Sequence, residues 1–234
     1  QQKKIAVMKT DFINNMSHEF KTPIATIGLA IDSILNIKTI NNPQKIKEYS
    51  KMMKEENQRM LKQVEDVLRI SQLERGTLQI DKNKVKLNDI IKNAISHVSL
   101  IIKSRNGEIV NNLTSESTLI NGNYNHLTNV FINILDNAIK YSSGSPLIKI
   151  ESFINNKKMV VIIKDKGIGM DLNSQKLIFQ KFYRVQTGNI HDIKGHGLGL
   201  TYVKKIIQIH AGQINLKSRK GFGTSFEIRI PLAF

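Results

Sequence analysis

The chain has 234 residues, a net charge of +16, 40% hydrophobic and 23% charged residues, and no cysteine. That balance builds one large or two modest globular bodies and excludes a disordered tail, while the lack of thiols excludes disulfide scaffolds, thiolate metal centres and cysteine nucleophiles. No apolar run reaches the ~18 residues of a membrane span and no signal-peptide pattern follows Gln1, so the sequence reads as a soluble piece of a longer protein.

The basic excess suits a polyanionic partner. It is spread thinly, mostly beyond residue 80, without the dense runs or interleaved aromatics of a nucleic-acid groove. Nucleic acid is therefore a minor alternative.

Residues 1–79 predict two long helices. In the first, Ile5, Met8, Phe12, Met16, Phe20, Ile24, Ile27, Ile31 and Ile34 recur every three or four residues. Asn42 and Pro43 supply a cap and a helix start. A second stripe follows at Ile46, Tyr49, Met53, Met60, Val64 and Val67, and Gly76 marks the stop. Two helices of ~30 residues, each ~45 Å long, cannot shield both stripes alone. Pairing two hairpins into a four-helix bundle does so, which predicts a homodimer.

The first helix carries Ser17-His18-Glu19-Phe20-Lys21-Thr22-Pro23. At about 100° per residue, His18 lies about 200° from Met16 and Phe20, and so projects into solvent with Thr22 one turn further on the same face. Pro23 lacks an N–H and crowds the carbonyl of Glu19, which predicts a kink just beyond the histidine at a cost of roughly 3 kcal/mol. By itself, a His–Glu pair here also fits an ordinary solvated face.

From residue 80 the pattern turns mixed. Helices are predicted over 88–104, 124–142, 171–180 and 198–210, and strands over 147–153, 159–163, 213–217 and 225–232. Such a mixture predicts an α+β sandwich, an antiparallel-rich sheet with helices on one face. Residues 184–194 read as a loop.

On the helix over 124–142, Asn133, Asn137 and Lys140 fall at i, i+4 and i+7, one polar row beside the apolar face. Two amide oxygens and an ammonium suit a magnesium–phosphate group, although a simply wet row has the same pattern. After the strand over 159–163 comes Asp165-Lys166-Gly167-Ile168-Gly169. A carboxylate there can accept from the exocyclic amine of adenine, where guanine presents a repelled carbonyl; a plain turn is the alternative. Phe179-Gln180-Lys181-Phe182-Tyr183-Arg184 sets aromatic anchors among basic residues. Gly195-His196-Gly197-Leu198-Gly199-Leu200 opens the last helix, where backbone N–H groups and the helix dipole favour an anion. No strand leads into these glycines and no Gly-Lys-Ser/Thr follows, which sets aside the dinucleotide and P-loop motifs.

The order of these segments, ending in Gly-Thr-Ser-Phe at 223–226, resembles the kinase core of bacterial two-component sensor histidine kinases, whose H, N, G1, F, G2 and terminal Gly-Thr boxes they match across essentially the whole chain. The resemblance implies a dimerisation and histidine phosphotransfer domain over 1–79. It implies a catalytic ATP-binding domain over 80–234 with the Bergerat-type sandwich and a mixed, mostly antiparallel sheet. His18 matches the phosphoacceptor, Glu19 the acid that takes the proton from the other ring nitrogen, and Thr22 the position that orients a hydrolytic water in related kinases. Asn137 matches the Mg²⁺ ligand, with Asn133 beside it and Lys140 and Tyr141 lining the nucleotide. Asp165, with Gly167 and Gly169, matches the adenine reader. Phe182, Arg184, Gly195, His196, Gly197, Leu198, Gly199, Leu200 and Thr224 complete the implied ATP site. The implied partners are a second copy of the chain and the receiver domain of a response regulator, with a membrane reached only through an upstream region of a membrane-anchored protein whose cytoplasmic portion this is.

Two other readings compete. An ATPase of the related chaperone, topoisomerase and mismatch-repair class places a glutamate base where this chain has Asn133, and leaves the exposed His–Glu pair unexplained. A degenerate, non-catalytic scaffold is at odds with six intact boxes.

Overall fold

The computed structural model describes residues 2–76, 79–114, 118–183 and 197–233. It divides into two units, Gln1–Leu78 and Gln79–Phe234.

The first unit is a helical hairpin of α1 (Gln2–Leu35), a one-turn α2 (Ile37–Ile40) and α3 (Pro43–Arg75). Asn42 starts α3 as the sequence predicts: its side chain accepts from the Lys45 N–H at 3.2 Å, and Pro43 follows at the position where an N–H has no helical partner. Gly76 ends the helix in the left-handed region, its N–H donating to the Gln72 carbonyl.

The apolar stripe of α1 divides. Met16, Pro23 and Ala30 are buried, a seven-residue spacing that makes a coiled-coil seam with Gln63, Ile70 and Leu73 of α3. Ile24 (56% exposed) and Ile31 (44%), which the sequence places on the same stripe, turn away from that seam. They form a second apolar line with Ile13 and Leu35, while Leu61, Val64 and Leu68 do the same on α3. The side chains of Ile5, Met8 and Phe12 lie outside the described set.

The second unit runs β1 (Asn83–Lys86), α4 (Leu87–Ser104), β2 (Glu108–Asn112), β3 (Leu119–Gly122), α5 (Tyr124–Lys140), β4 (Leu147–Asn155), β5 (Lys158–Asp165), α6 (Leu172–Leu177), α7 (Gly199–Ile209), β6 (Gln213–Arg219) and β7 (Gly223–Pro231). A five-stranded sheet has the order β2-β4-β5-β7-β6, with β2 parallel to β4 and every other pair antiparallel; β1 and β3 form a separate ribbon.

Register sets the core. Ile150, Ile163, Phe226 and Leu216 lie in one row across four strands, and Ser152, Val161, Ile228 and Ile214 in the next. The apolar faces of α4, α5 and α7 cover this side, with Ile90, Phe131, Leu135 and Val203 all fully buried. The other side carries exposed Lys149, Lys164 and Lys217. This is the α+β sandwich of the sequence, with helices on one face.

Three strands escape the sequence reading, because β1, β2 and β3 are four or five residues long and mostly polar. The helix expected over 171–180 stops at Leu177, where the chain turns toward Phe182, a residue at φ 67°. Among the described residues no helix is long and apolar enough to cross a membrane.

Candidate functional site

The alternation of β5 places Asp165 on the inward face with Met159, Val161 and Ile163, opposite Ile148 of β4. A carboxylate at that position is half-buried, and the burial pushes its pKa above the ordinary 3.8 while N–H donors from Gly167 and Thr224 draw it back. Both bonds go to Oδ1, at 2.8 Å from Gly167 N and 3.1 Å from Thr224 N. Among the described residues no donor is assigned to Oδ2.

The turn around Asp165 is fitted too tightly for side chains. Gly169 has φ 64°, and a Cβ there would stand 1.9 Å from the Arg219 carbonyl oxygen. Gly223 has φ 96°, and a Cβ would meet the Asp165 carbonyl oxygen at 2.0 Å. Ser218 ties the same corner: its Oγ accepts the Met170 N–H at 2.9 Å and donates to the Gly223 carbonyl at 2.8 Å. The Thr224 hydroxyl joins it at 3.0 Å.

The α5 row runs away from this turn. At its near end the Tyr141 carbonyl accepts the Ile168 N–H at 3.0 Å, and Gly167 packs against the same carbonyl. At its far end Asn133 lies against Gly199, where an added Cβ would stand 2.5 Å from the Asn133 Oδ1. Gly199 is the first residue of α7 and follows buried Leu198, with Leu200 partly exposed behind it, so free N–H groups of a helix start meet the row at that end. Eight residues of α5 separate the two ends, about 12 Å. One helix thus spans from a carboxylate in a glycine turn to an anion-suited helix terminus.

Side chains along the row differ in what they already hold. Asn133 donates back to the Asn129 carbonyl at 2.8 Å, and Lys140 pairs with Asp136 at 2.5 Å. Asn137 is partly exposed, and no described residue bonds its amide. No three His, Asp or Glu side chains converge among the described residues. That donor set does not suit a resident metal. It suits a magnesium ion that takes most of its oxygens from a triphosphate and water and one or two from protein.

The aromatic segment and the last glycines meet. Phe182 N–H donates to the Gly197 carbonyl at 3.2 Å, and Thr201 donates to the Phe179 carbonyl at 3.3 Å. Asp171 caps α6 through the Ser174 N–H and hydroxyl, which holds its carboxyl below the ordinary range, and Tyr183 donates to the Ser174 Oγ at 3.1 Å. Arg184, Gly195 and His196 lie outside the described residues.

In the first unit His18 is exposed, as its helical phase requires. Thr22, one turn on, bonds the His18 carbonyl at 3.3 Å, so both share that face. Glu19 turns toward α3, where buried Gln63 donates to its Oε2 at 3.4 Å; the Gln63 Oε1 has no partner among the described residues. Gln63, Ser218 and Arg105, whose guanidinium clasps the end of α5, carry no sequence signal. Gly223 does, as the second glycine of Gly-Phe-Gly-Thr. Of the histidines outside every motif, His97 is exposed, His126 reaches the Tyr202 hydroxyl at 2.8 Å and His210 is buried.

Residues 122–233 match the family of histidine kinase-, DNA gyrase B- and HSP90-like ATPases, and residues 8–76 match the His Kinase A (phospho-acceptor) domain. Sensor protein RprX of Bacteroides fragilis is 41% identical over 99% of this chain, which spans 45% of RprX. Sensor protein kinase WalK of Staphylococcus haemolyticus is 30% identical over 99% of this chain, which spans 38% of it. The chain thus spans less than half the length of these relatives. Among solved structures, the Acinetobacter baumannii histidine kinase AdeS shares the fold with a TM-score of 0.65 at 21% identity, over 93% of this chain and 98% of its own.

Proposed function

This chain belongs to the two-component sensor histidine kinases, and from that membership we propose that it binds ATP in its second unit and transfers the γ-phosphoryl group to His18. The observation that carries the reading is the α5 row, which joins the Asp165 turn to the start of α7. Asp165 Oδ2 accepts from the adenine amine, Tyr141 and Lys140 flank the nucleoside, and Gly197 to Leu200 face the phosphates. Thr224 acts through Asp165, and Phe182 through Gly197.

Asn137, with Asn133 beside it, would hold Mg²⁺, which when bound offsets the charge on the transferred group. One ring nitrogen of His18 forms a bond to the γ-phosphorus while the bond to the leaving oxygen of ADP breaks. Glu19 takes the proton from the other ring nitrogen. The chain's contribution is chiefly positioning and charge neutralisation.

The phosphoryl group then passes to an aspartate of a response-regulator receiver domain. Thr22, on the His18 face, orients the water that hydrolyses the phosphorylated regulator. The exposed apolar lines of α1 and α3 pair two copies of the hairpin in a four-helix bundle. With residues 1–79 as dimerisation and phosphotransfer domain and 80–234 as ATP-binding domain, the chain is the cytoplasmic part of a longer, membrane-anchored sensor.

Incubation with Mg²⁺ and γ-labelled ATP tests this directly. The expected product is an acid-labile, base-stable adduct that disappears in His18→Gln while nucleotide binding persists. Equal labelling of that variant removes His18 from the reaction.

A further inference from the structure

Arg105 stands just past α4 and belongs to none of the boxes. Its guanidinium donates to three main-chain oxygens: Nη1 to the Ile139 carbonyl, and Nη2 to those of Ser142 at 2.8 Å and Gly144 at 3.2 Å. These carbonyls belong to the last turn of α5 and the turn after it, where i→i−4 donors run out and the Ile139 carbonyl takes instead a long bond from the Ser142 N–H at 3.4 Å. The helix ends at Tyr141 without a left-handed residue (φ −93°), so no glycine cap serves them, and the Ser142 hydroxyl satisfies only the Ala138 carbonyl. A planar cation with several fixed donors suits this role, and its charge meets the negative end of the α5 dipole.

The clasped segment is the one that meets the adenine turn. Residues 139–144 include Lys140 and Tyr141, and the Tyr141 carbonyl accepts the Ile168 N–H one residue before the Gly169 close contact. Arg105 also terminates α4, its own N–H donating to the Ile102 carbonyl. One residue therefore fixes the end of α5 to a helix that carries none of the nucleotide groups.

We infer that Arg105 is a positioning residue for the nucleotide: without touching it, the guanidinium sets the seat of the α5 terminus against the Asp165 turn. The inference rests on the ATP-binding reading above. It predicts an effect on nucleotide affinity and little on the transfer step, because the phosphate end of the row lies away from the clasp along α5.

The test uses the whole chain with Mg²⁺ and ADP, by calorimetry, well below the melting temperature of each variant. Arg105→Ala should weaken binding five- to tenfold or more and raise the KM for ATP, while labelling of His18 at saturating ATP stays within about twofold of wild type. Arg105→Lys, which keeps the charge but places one nitrogen among three carbonyls, should fall between and keeps the question open to test where the alanine variant does not fold. Affinity within twofold of wild type in the lysine variant and in a folded alanine variant, even with a lowered melting temperature, overturns the inference. Absence of binding to wild type would instead defeat the ATP reading beneath it.

Discussion

Asp165→Asn is the sharpest probe of the nucleotide reading, because both N–H donors assigned to the carboxylate go to one oxygen. Oδ1 accepts both the Gly167 and Thr224 N–H groups, and an asparagine carbonyl can take over both bonds unchanged. The substitution then places an NH₂ where Oδ2 is proposed to meet the adenine amine, setting donor against donor. A hydrogen bond to a charged acceptor is worth about 1.5–3 kcal/mol, which corresponds to roughly a 10- to 150-fold loss in affinity. The free protein should not suffer, since burial already disfavours the Asp165 charge and the amide carries none. The expected outcome is therefore an unchanged or slightly raised melting temperature with ADP affinity reduced by one to two orders of magnitude, measured by calorimetry with Mg²⁺. The preference for ATP over GTP should shrink in parallel. Affinity within twofold of wild type in a folded Asp165→Asn chain would refute the assignment of Oδ2 to adenine.

Gly169→Ala should be far costlier to the fold: a Cβ would sit 1.9 Å from the Arg219 oxygen at a φ of 64°, and strain of about 1–3 kcal/mol from the backbone alone should lower the melting temperature and abolish ADP binding together. Ile24→Glu with Leu68→Glu puts charge on the exposed apolar lines of α1 and α3, so light scattering should report a monomer; a surviving dimer would rule out those lines as its interface. Gln63→Leu removes one donor from Glu19, and the pH dependence of His18 labelling should shift while ADP affinity stays constant. His210 makes stability pH-dependent: its buried ring donates from Nδ1 to the Ile206 carbonyl and accepts the Asn123 N–H at Nε2, and burial pushes its pKa below 6.5. The unfolded chain then binds the proton first, so stability should be full above pH 6.5 and fall as pH drops below it, whereas His210→Gln should lose that dependence in chemical denaturation.

The parts of the fold that the sequence makes legible are those whose burial imposes a period. The inward faces of β5 and β7 read as unbroken or alternating apolar residues because three rows of inward side chains, Met159–Ile230, Val161–Ile228 and Ile163–Phe226, pair in register between them. β2 is invisible by the same logic: it is an edge strand, Val110 is exposed, and its pairing with β4 is a main-chain contact that any side chain permits. In α1, periodicity predicts one stripe where the structure has two seams, since a spacing of three and four residues fits both the line that meets α3 and the line that does not. Ala30 and Pro23, buried in the first seam, are missed because neither counts as strongly apolar.

The candidate site divides along a different physical line. Groups proposed to meet a ligand must present a particular charge or donor at a fixed point, so residue type and spacing betray Asp165, Asn137 and His18 before any fold is known. Groups that hold those residues work through main-chain atoms, which every residue has. Ser218 grips a glycine carbonyl and an amide N–H, and Arg105 grips three carbonyls. The partners leave no trace in residue type, and the separations are set by topology rather than helical or strand period. Gly223 is the instructive exception. It too is a support, but the close approach to the Asp165 carbonyl excludes every side chain, and that exclusion is written in the sequence as glycine. A support becomes legible when its geometry forbids substitution and stays hidden when it merely requires a donor within reach.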